Sequence, residues 1–166
     1  GAEDYQTDTG ENLYRRSLYT FWKRAAPPPS MMNFDSAGRE ACTVRETRTN
    51  TPLQALNLMN DAAFVEAARV LAQRVMIEVP ATPEKRLALE FQLATGRPPK
   101  PREQKVLLAG FEQHLKEYEQ NPKAALSLMI SSREFPIDEK LDICELAAYT
   151  AQASLILNLD EVITKE

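Results

Sequence analysis

The residues best suited to bind an anion lie between Asp35 and Asn57. Guanidinium groups bind carboxylate, sulfate or phosphate through paired hydrogen bonds, and amide side chains add further donors. The candidate ligand-binding residues are Asp35, Arg39, Glu40, Arg45, Arg48, Asn50, Gln54 and Asn57. The preferred interpretation is that the arginines pair with Asp35 and Glu40 at an interface. The alternative is that some arginines stay open for an anionic ligand.

The sequence contains no recognised catalytic or metal-binding motif. It has no G-x-S-x-G, Walker loop, H-E-x-x-H or dinucleotide fingerprint. The single histidine, His114, has no nearby Cys, Asp or Ser partner and is predicted to lie on the surface. Cys42 and Cys144 lack metal-site spacing and are expected to be two separately buried thiols, with a disulfide as the alternative. We therefore predict no catalytic residue, no metal and no cofactor.

The charge of the chain is unevenly distributed. The 166 residues carry a net charge of −4, yet residues 12–50 hold seven basic side chains against three acidic ones. An acidic chain with one basic zone is not expected to bind nucleic acid, which needs many phosphate contacts. No segment approaches the roughly 20 apolar residues of a membrane span. An anionic ligand at the basic zone is consistent with this pattern.

An N-terminal arm precedes the main helical region. The spacing of Tyr14, Leu18, Phe21 and Trp22 predicts a short helix over residues 12–24 with one apolar face. We interpret it as a docking helix whose aromatic side chains belong to the core, rather than as an aromatic–basic surface for anions. The three consecutive prolines at residues 27–29 predict a stiff extended strap.

The strongest helix-start signal follows the arm. Thr51 as N-cap, Pro52 at the first helical position and Gln54 three residues after the cap predict a capping box. Asn60 and Asp61 predict a break, where either residue can cap a second helix. The residues predicted to face the core as one stripe are Leu53, Leu56, Met59, Ala63, Ala67 and Val70, and Phe64, Ala68, Leu71 and Val75 widen it.

The rest of the chain alternates apolar helical patterns with proline-containing starts. Helices are predicted from Pro83 to Gly96, from Arg102 to about Gln120 and after Pro122, and a central last helix begins near Asp138 or Glu139. The fold class is therefore all-α. It is an irregular helical bundle of about five to seven helices over residues 51–166, with a proline-stiffened, arginine-rich arm over residues 1–50.

Several long motifs resemble a known family. They are YRRSLYTFWKR, APPPSM, RTNTPLQAL, FVEAAR, ATGRPP and ELAAYTAQASLILNLDEVITKE. These motifs closely resemble the planctomycete domain of unknown function 1553. The resemblance implies export to the periplasm or another extracytoplasmic space. It also implies a multidomain parent, often with a cytochrome c-like segment and another uncharacterised domain upstream. It implies no established activity or catalytic residue. The chain lacks an initial methionine and a signal-peptide pattern, so we expect it to be a piece of that parent.

Two functional hypotheses follow. The first is a non-catalytic interaction or scaffold module whose basic arm docks the upstream domain of the same parent. The second is part of an enzyme that acts on anionic polysaccharide or in cytochrome-linked redox chemistry. In that case Arg39, Arg45, Arg48 and Asn50 bind substrate, and Asp35 or Glu40 acts as acid or base.

Overall fold

Helices dominate the computed structural model of the protein, which describes residues 8, 10–23, 26–37, 42, 44, 49, 51–80, 82–130 and 135–164. The α-helices are α1 (Pro29–Asn33), α2 (Pro52–Asn60), α3 (Ala62–Glu78), α4 (Pro83–Thr95), α5 (Pro101–Gln120), α6 (Pro122–Ile130), α7 (Ile143–Leu157) and α8 (Asp160–Ile163). Six of them have seven or more residues, and no strand occurs among these residues. The all-α prediction with five to seven helices is confirmed.

The chain forms two compact units that divide after residue 57. The division falls inside α2, seven residues beyond the predicted boundary. The predicted domain boundary between residues 50 and 51 stays a prediction. The N-terminal unit holds α1 and the start of α2. The C-terminal unit holds the remaining helices and the core.

The predicted start of α2 and the break after it are confirmed. The Thr51 backbone N–H donates to Gln54 Oε1 at 2.9 Å, and the Gln54 N–H donates to Thr51 Oγ1 at 3.3 Å. These reciprocal bonds are the predicted capping box. Helix α2 ends at Asn60, and the Asp61 carboxylate accepts from the Ala63 N–H at 2.9 Å to cap α3.

The arm differs from its prediction. Instead of one helix over residues 12–24, two short 3₁₀ helices span Gly10–Tyr14 and Ser17–Tyr19. Arg16 between them has the extended backbone of φ −60° and ψ 145°, which interrupts any continuous helix. Aromatic residues are modest helix formers, and a helix this short needs packing to persist. That packing is lacking, because Leu18 and Phe21 are exposed rather than in the core.

The triproline segment is only partly a strap. Pro28 is extended, with φ −59° and ψ 121°, but Pro29 occupies the first turn of α1. A proline at this position needs no intrahelical hydrogen bond and has a helical φ, so it starts a helix readily.

The core is built around α7, as predicted. Most of this helix is buried, and α3, α4, α5, α6 and α8 all pack against it. The Phe111 and Tyr149 rings lie 4.3 Å apart between their centroids. Helix α7 begins at Ile143 rather than near Asp138 or Glu139. The reason is that Asp142 provides the cap, its Oδ1 accepting from the Glu145 N–H at 2.8 Å.

The predicted apolar stripe is wrong on α2, whereas on α3 two of its predicted members, Ala68 and Val75, are buried. Leu53, Leu56 and Met59 on α2 are exposed, and Gln54 is the buried residue of that helix. On α3 the buried apolar residues are Ala68, Ala72, Val75 and Met76. The break at Asp61 gives each helix its own orientation, so a stripe counted through the break does not remain on one face.

A charged cluster fixes the turn between α4 and α5. Gly96 ends α4 in the left-handed conformation, with φ 78°, and Arg97 then bonds both Glu103 and Glu161. The hydrogen bond from Arg97, together with the one from the Lys100 backbone N–H, lowers the pKa of Glu103 to about 2. The Arg97 guanidinium also lies 4.9 Å from the centroid of the Phe91 ring. Through Glu161, Arg97 connects α8 to the start of α5.

Candidate functional site

Asp35 is the acceptor at the centre of the candidate site. Its φ of 55° is left-handed, a conformation that aspartate tolerates better than most residues. Asp35 Oδ2 accepts from the Thr49 backbone N–H at 2.8 Å and from Thr49 Oγ1 at 2.6 Å. The side-chain and backbone hydrogen bonds from Thr49 lower the pKa of Asp35 below its ordinary 3.8. The group is therefore ionised at neutral pH, which suits an acceptor and not a general acid.

Gln54 links Asp35 to the start of α2. Gln54 Nε2 donates to Thr49 Oγ1 at 3.1 Å, while its Oε1 accepts the Thr51 N–H. We call Asp35, Thr49, Thr51 and Gln54 the Asp35–Gln54 network. Gln54 is buried, and both its side-chain oxygen and nitrogen have partners. Its main role is therefore to hold the preceding segment against the first turn of α2.

Asn57 lies one turn after Gln54 on α2. Its side chain is half-buried, and the Nδ2 atom has no hydrogen-bond partner among the described residues. A buried amide donor without a partner costs about 1–3 kcal/mol, so this atom favours an acceptor supplied from outside. Among the three described members of the predicted set, Asn57 is thus the one with an unused hydrogen-bond donor.

Three of the eight predicted site residues lie within the described part of the chain. The structure joins Asp35 and Gln54 in one network and places Asn57 beside them in sequence on α2. The other predicted residues, which lie outside the described residues, are Arg39, Glu40, Arg45, Arg48 and Asn50. Their role as anion-binding groups stays a prediction. Thr49 was not in the predicted set, although a hydroxyl two residues before an N-cap is a recognisable hydrogen-bonding signal.

Gln54→Ala is expected to lower the free energy of unfolding by about 1–3 kcal/mol, because it removes two hydrogen bonds, the one from the Thr51 N–H and the one to Thr49 Oγ1. The fluorescence of Trp22, the only tryptophan, reports urea unfolding of the N-terminal unit. Gln113→Ala, which removes an exposed glutamine of α5, is the control and should change stability by less than about 0.5 kcal/mol. Equal effects of the two variants would contradict the structural role of Gln54.

A buried polar row on α3 was missed by the sequence analysis. Glu66, Arg69 and Gln73 recur at positions i, i+3 and i+7, and all three are buried. Arg69 Nη2 donates to the Phe135 carbonyl at 2.7 Å, and the Phe135 N–H donates to Glu66 Oε2 at 3.3 Å. Gln73 accepts from the Asp138 N–H at 3.2 Å. The row satisfies the backbone of the segment before α7 and therefore positions that segment.

A second buried polar group lies between α4 and α7. Arg86 Nη1 contacts Glu145 Oε1 at 2.6 Å, and its guanidinium lies 5.7 Å from the Tyr149 ring centroid. Glu90, one turn further along α4, is fully buried. A glutamate inside the apolar run Leu87–Phe91 is the sequence signal of this buried group, although apolar periodicity alone does not reveal it.

The structure shows the state of both cysteine side chains. Both thiols are free. Cys144 is half-buried with its Sγ 3.5 Å from the Tyr118 carbonyl, whereas Cys42 is exposed and not buried as predicted.

In the described ranges no group of three His, Cys, Asp or Glu side chains is arranged to hold a metal ion. No helix in those ranges is long and apolar enough to cross a membrane.

Comparison with known proteins gives one family. The family model described as PSD1, protein of unknown function (DUF1553), matches residues 2–111. The matched region includes the whole Asp35–Gln54 network and helices α1 to α4. No curated protein and no solved structure matches the chain.

Proposed function

Because this chain belongs to the PSD1 family of proteins of unknown function (DUF1553), we propose that it is a non-catalytic helical interaction module of an exported, multidomain protein. Its partner in this proposal is the upstream domain of the same parent. The exposed apolar surface of the N-terminal unit is the observation that carries the proposal.

The N-terminal unit exposes large apolar side chains that a folded domain normally covers. Among the described residues the buried side chains of the hydrophobic core run from Ala68 to Ile156, and in the arm Pro28 is fully buried. Leu18 is 72% exposed and Phe21 is 75% exposed, with Tyr19 exposed between them. Clustered apolar exposure of this kind is typical of interaction sites.

The charge around these side chains indicates the chemistry of the partner. Arg15 and Arg16 lie three and two residues before Leu18, and no acidic residue occurs between Glu11 and Asp35. Arg16 lies 5.7 Å from the ring centroid of Tyr19. We call Arg15, Arg16, Leu18, Tyr19 and Phe21 the N-terminal patch. Aromatic and arginine side chains are enriched at the energetic centres of interfaces, so the partner surface is acidic with an apolar centre.

Leu18→Asp and Phe21→Asp are each expected to weaken binding of the upstream domain at least about tenfold, because each replaces an interface anchor with a charge that repels an acidic surface. Isothermal titration calorimetry with the full chain measures the effect. Val106→Asp is the matched control, since Val106 on α5 is 68% exposed but lies outside the patch. It should bind as the unmodified chain does.

Two results would overturn the proposal. One is no association between the unmodified chain and the upstream domain. The other is equal weakening by the Val106 variant and the patch variants. Circular dichroism of each variant shows that the helices are retained, so loss of binding is not loss of folding.

The second candidate function is part of an enzyme on anionic polysaccharide or in cytochrome-linked redox chemistry. The unused Asn57 Nδ2 donor beside the Asp35–Gln54 network favours it. Against it, the low pKa of Asp35 makes that carboxylate a poor proton donor at neutral pH. Titration of the chain with a sulfated oligosaccharide discriminates the two candidates, because the interaction module is expected to show no saturable binding.

A further inference from the structure

Glu90 on α4 lies inside the apolar core without a hydrogen bond. It is 0% exposed, and its neighbours along the helix, Leu87 and Phe91, are also buried. Neither carboxyl oxygen has a partner among the described residues. Burial of an isolated carboxylate is costly enough that such a group usually takes up a proton instead.

Other unpaired polar atoms lie on α7, which packs against α4. The Tyr149 hydroxyl and the Gln152 Nε2 atom are buried without hydrogen bonds of acceptable geometry in the described part of the chain. Tyr149 and Gln152 are three residues apart and so lie on neighbouring positions of one helix face. Glu90 interacts electrostatically with Tyr149. This places unsatisfied polar groups on both sides of the α4–α7 contact.

Helix α5 closes this region from a third side. The Phe111 ring packs on Tyr149, and the adjacent Gly110 lets Gln152 approach the α5 backbone closely. A Cβ atom added at Gly110 would lie 2.5 Å from Gln152 Nε2. Gln152 and the α5 backbone are therefore closely packed at Gly110.

The charged groups near Glu90 do not neutralise it. On its own helix Arg86 pairs with Glu145 of α7, and the two charges largely cancel. Tyr149 is the titratable group of α7 that faces Glu90, and burial raises the pKa of Tyr149 to about 12. No charge on α3, α5 or α8 in the described ranges affects the pKa of Glu90, which burial alone raises well above its ordinary 4.5.

We propose that Glu90 is a pH-sensitive contact that controls how tightly α4 is held to α7. With the proton bound, the neutral carboxyl stays in the core and α4 remains packed. When the proton is lost, the carboxylate must reach water, and the only route in this packing is separation of α4 from α7. The device lies in the C-terminal unit and does not depend on the proposed partner.

The sign of the effect follows from linkage. The unfolded chain loses the Glu90 proton near pH 4.5, whereas the folded chain keeps it to a higher pH. The stabilisation is therefore complete below pH 4.5. Above pH 4.5 the folding equilibrium constant decreases by up to about tenfold per pH unit, until the pH reaches the folded-state pKa of Glu90.

Glu90→Gln tests the proposal in the full chain by urea unfolding between pH 4 and pH 9. The ratio of its folding constant to that of the unmodified chain should rise up to about tenfold per pH unit above 4.5. Glu112→Gln, which removes an exposed glutamate of α5, is the control and should give a constant ratio. Protection factors from hydrogen exchange, which are corrected for the intrinsic base-catalysed rate, should fall for α4 amides at alkaline pH in the unmodified chain and stay constant in Glu90→Gln.

Two further measurements keep the test decisive. If the Glu90→Gln variant does not fold, Glu90→Met supplies a second uncharged variant, whose side chain suits an apolar core. In the unmodified chain, ¹³C NMR of the Glu90 carboxyl follows its titration directly. Titration of that carboxyl near pH 4.5, or a pH-independent ratio for both Glu90 variants, would overturn the proposal.

Discussion

Arg69→Met is expected to lower the free energy of unfolding by about 3–5 kcal/mol, the range for breaking a buried ion pair from one side. Arg69 is fully buried on α3, and its Nη2 atom lies 3.8 Å from Glu66 Oε2. The substitution removes the 2.7 Å bond to the Phe135 carbonyl and the buried ion pair with Glu66. Urea unfolding followed by circular dichroism at neutral pH measures the loss.

Arg74→Met is the matched control, because it removes the same kind of side chain from the same helix. Arg74 pairs with Glu78 at 2.8 Å, but both side chains are about half exposed to solvent. Solvent screens such pairs, so a loss below about 1 kcal/mol is expected. Glu66→Gln in the Arg69→Met background should restore part of the stability, because it removes a buried charge that has lost its ion pair with Arg69. Similar losses for Arg69→Met and Arg74→Met would refute the role assigned to the buried row.

Leu146→Ala is expected to cost about 2–5 kcal/mol, through lost burial and the cavity that remains. Leu146 is completely buried in the first turns of α7 and belongs to the core cluster with Met76, Leu87 and Phe111. Because α3, α4, α5 and α6 all pack on α7, the cavity cannot be filled by movement of one helix alone. Thermal and urea unfolding of the full chain both report the change.

Leu155→Ala is the control for this prediction. Leu155 lies on the same helix, yet 45% of its surface remains exposed, so its truncation removes less buried area and leaves no closed cavity. A loss well below that of Leu146→Ala is expected. A loss of equal size would mean that α7 is not packed as the structure describes.

Local signals predicted the helix starts well. The Thr51–Gln54 capping box, the Asp61 cap and the Gly96 terminus each depend on residues within four positions of one another. Such contacts need no tertiary partner, and a sequence therefore shows them. The start of α7 was misplaced because Asp138, Glu139 and Asp142 all resemble caps, and only Asp142 accepts the N–H that begins the helix.

The candidate site was partly predictable for the same reason. Gln54 was found through its cap, and Asp35 through its place in a polar segment. The bond between Asp35 and Thr49 joins residues 14 positions apart, and neither periodicity nor capping rules supply that distance. The exposure of Leu18 and Phe21 was also not predictable, because an apolar stripe shows that a face suits burial and not that a partner covers it.

The sequence alone determined the all-α class, the family and most helix ends, since these depend on composition, long motifs and short-range capping. The tertiary structure alone decided which polar side chains are buried. Arg69 meets the Phe135 carbonyl across 66 positions of the chain, and Arg86 meets Glu145 across 59. Glu90 is fully buried on α4, which packs against α3, α5 and α7. Burial and pKa depend on the low-dielectric surroundings that distant segments create, and those surroundings exist only once the helices have packed.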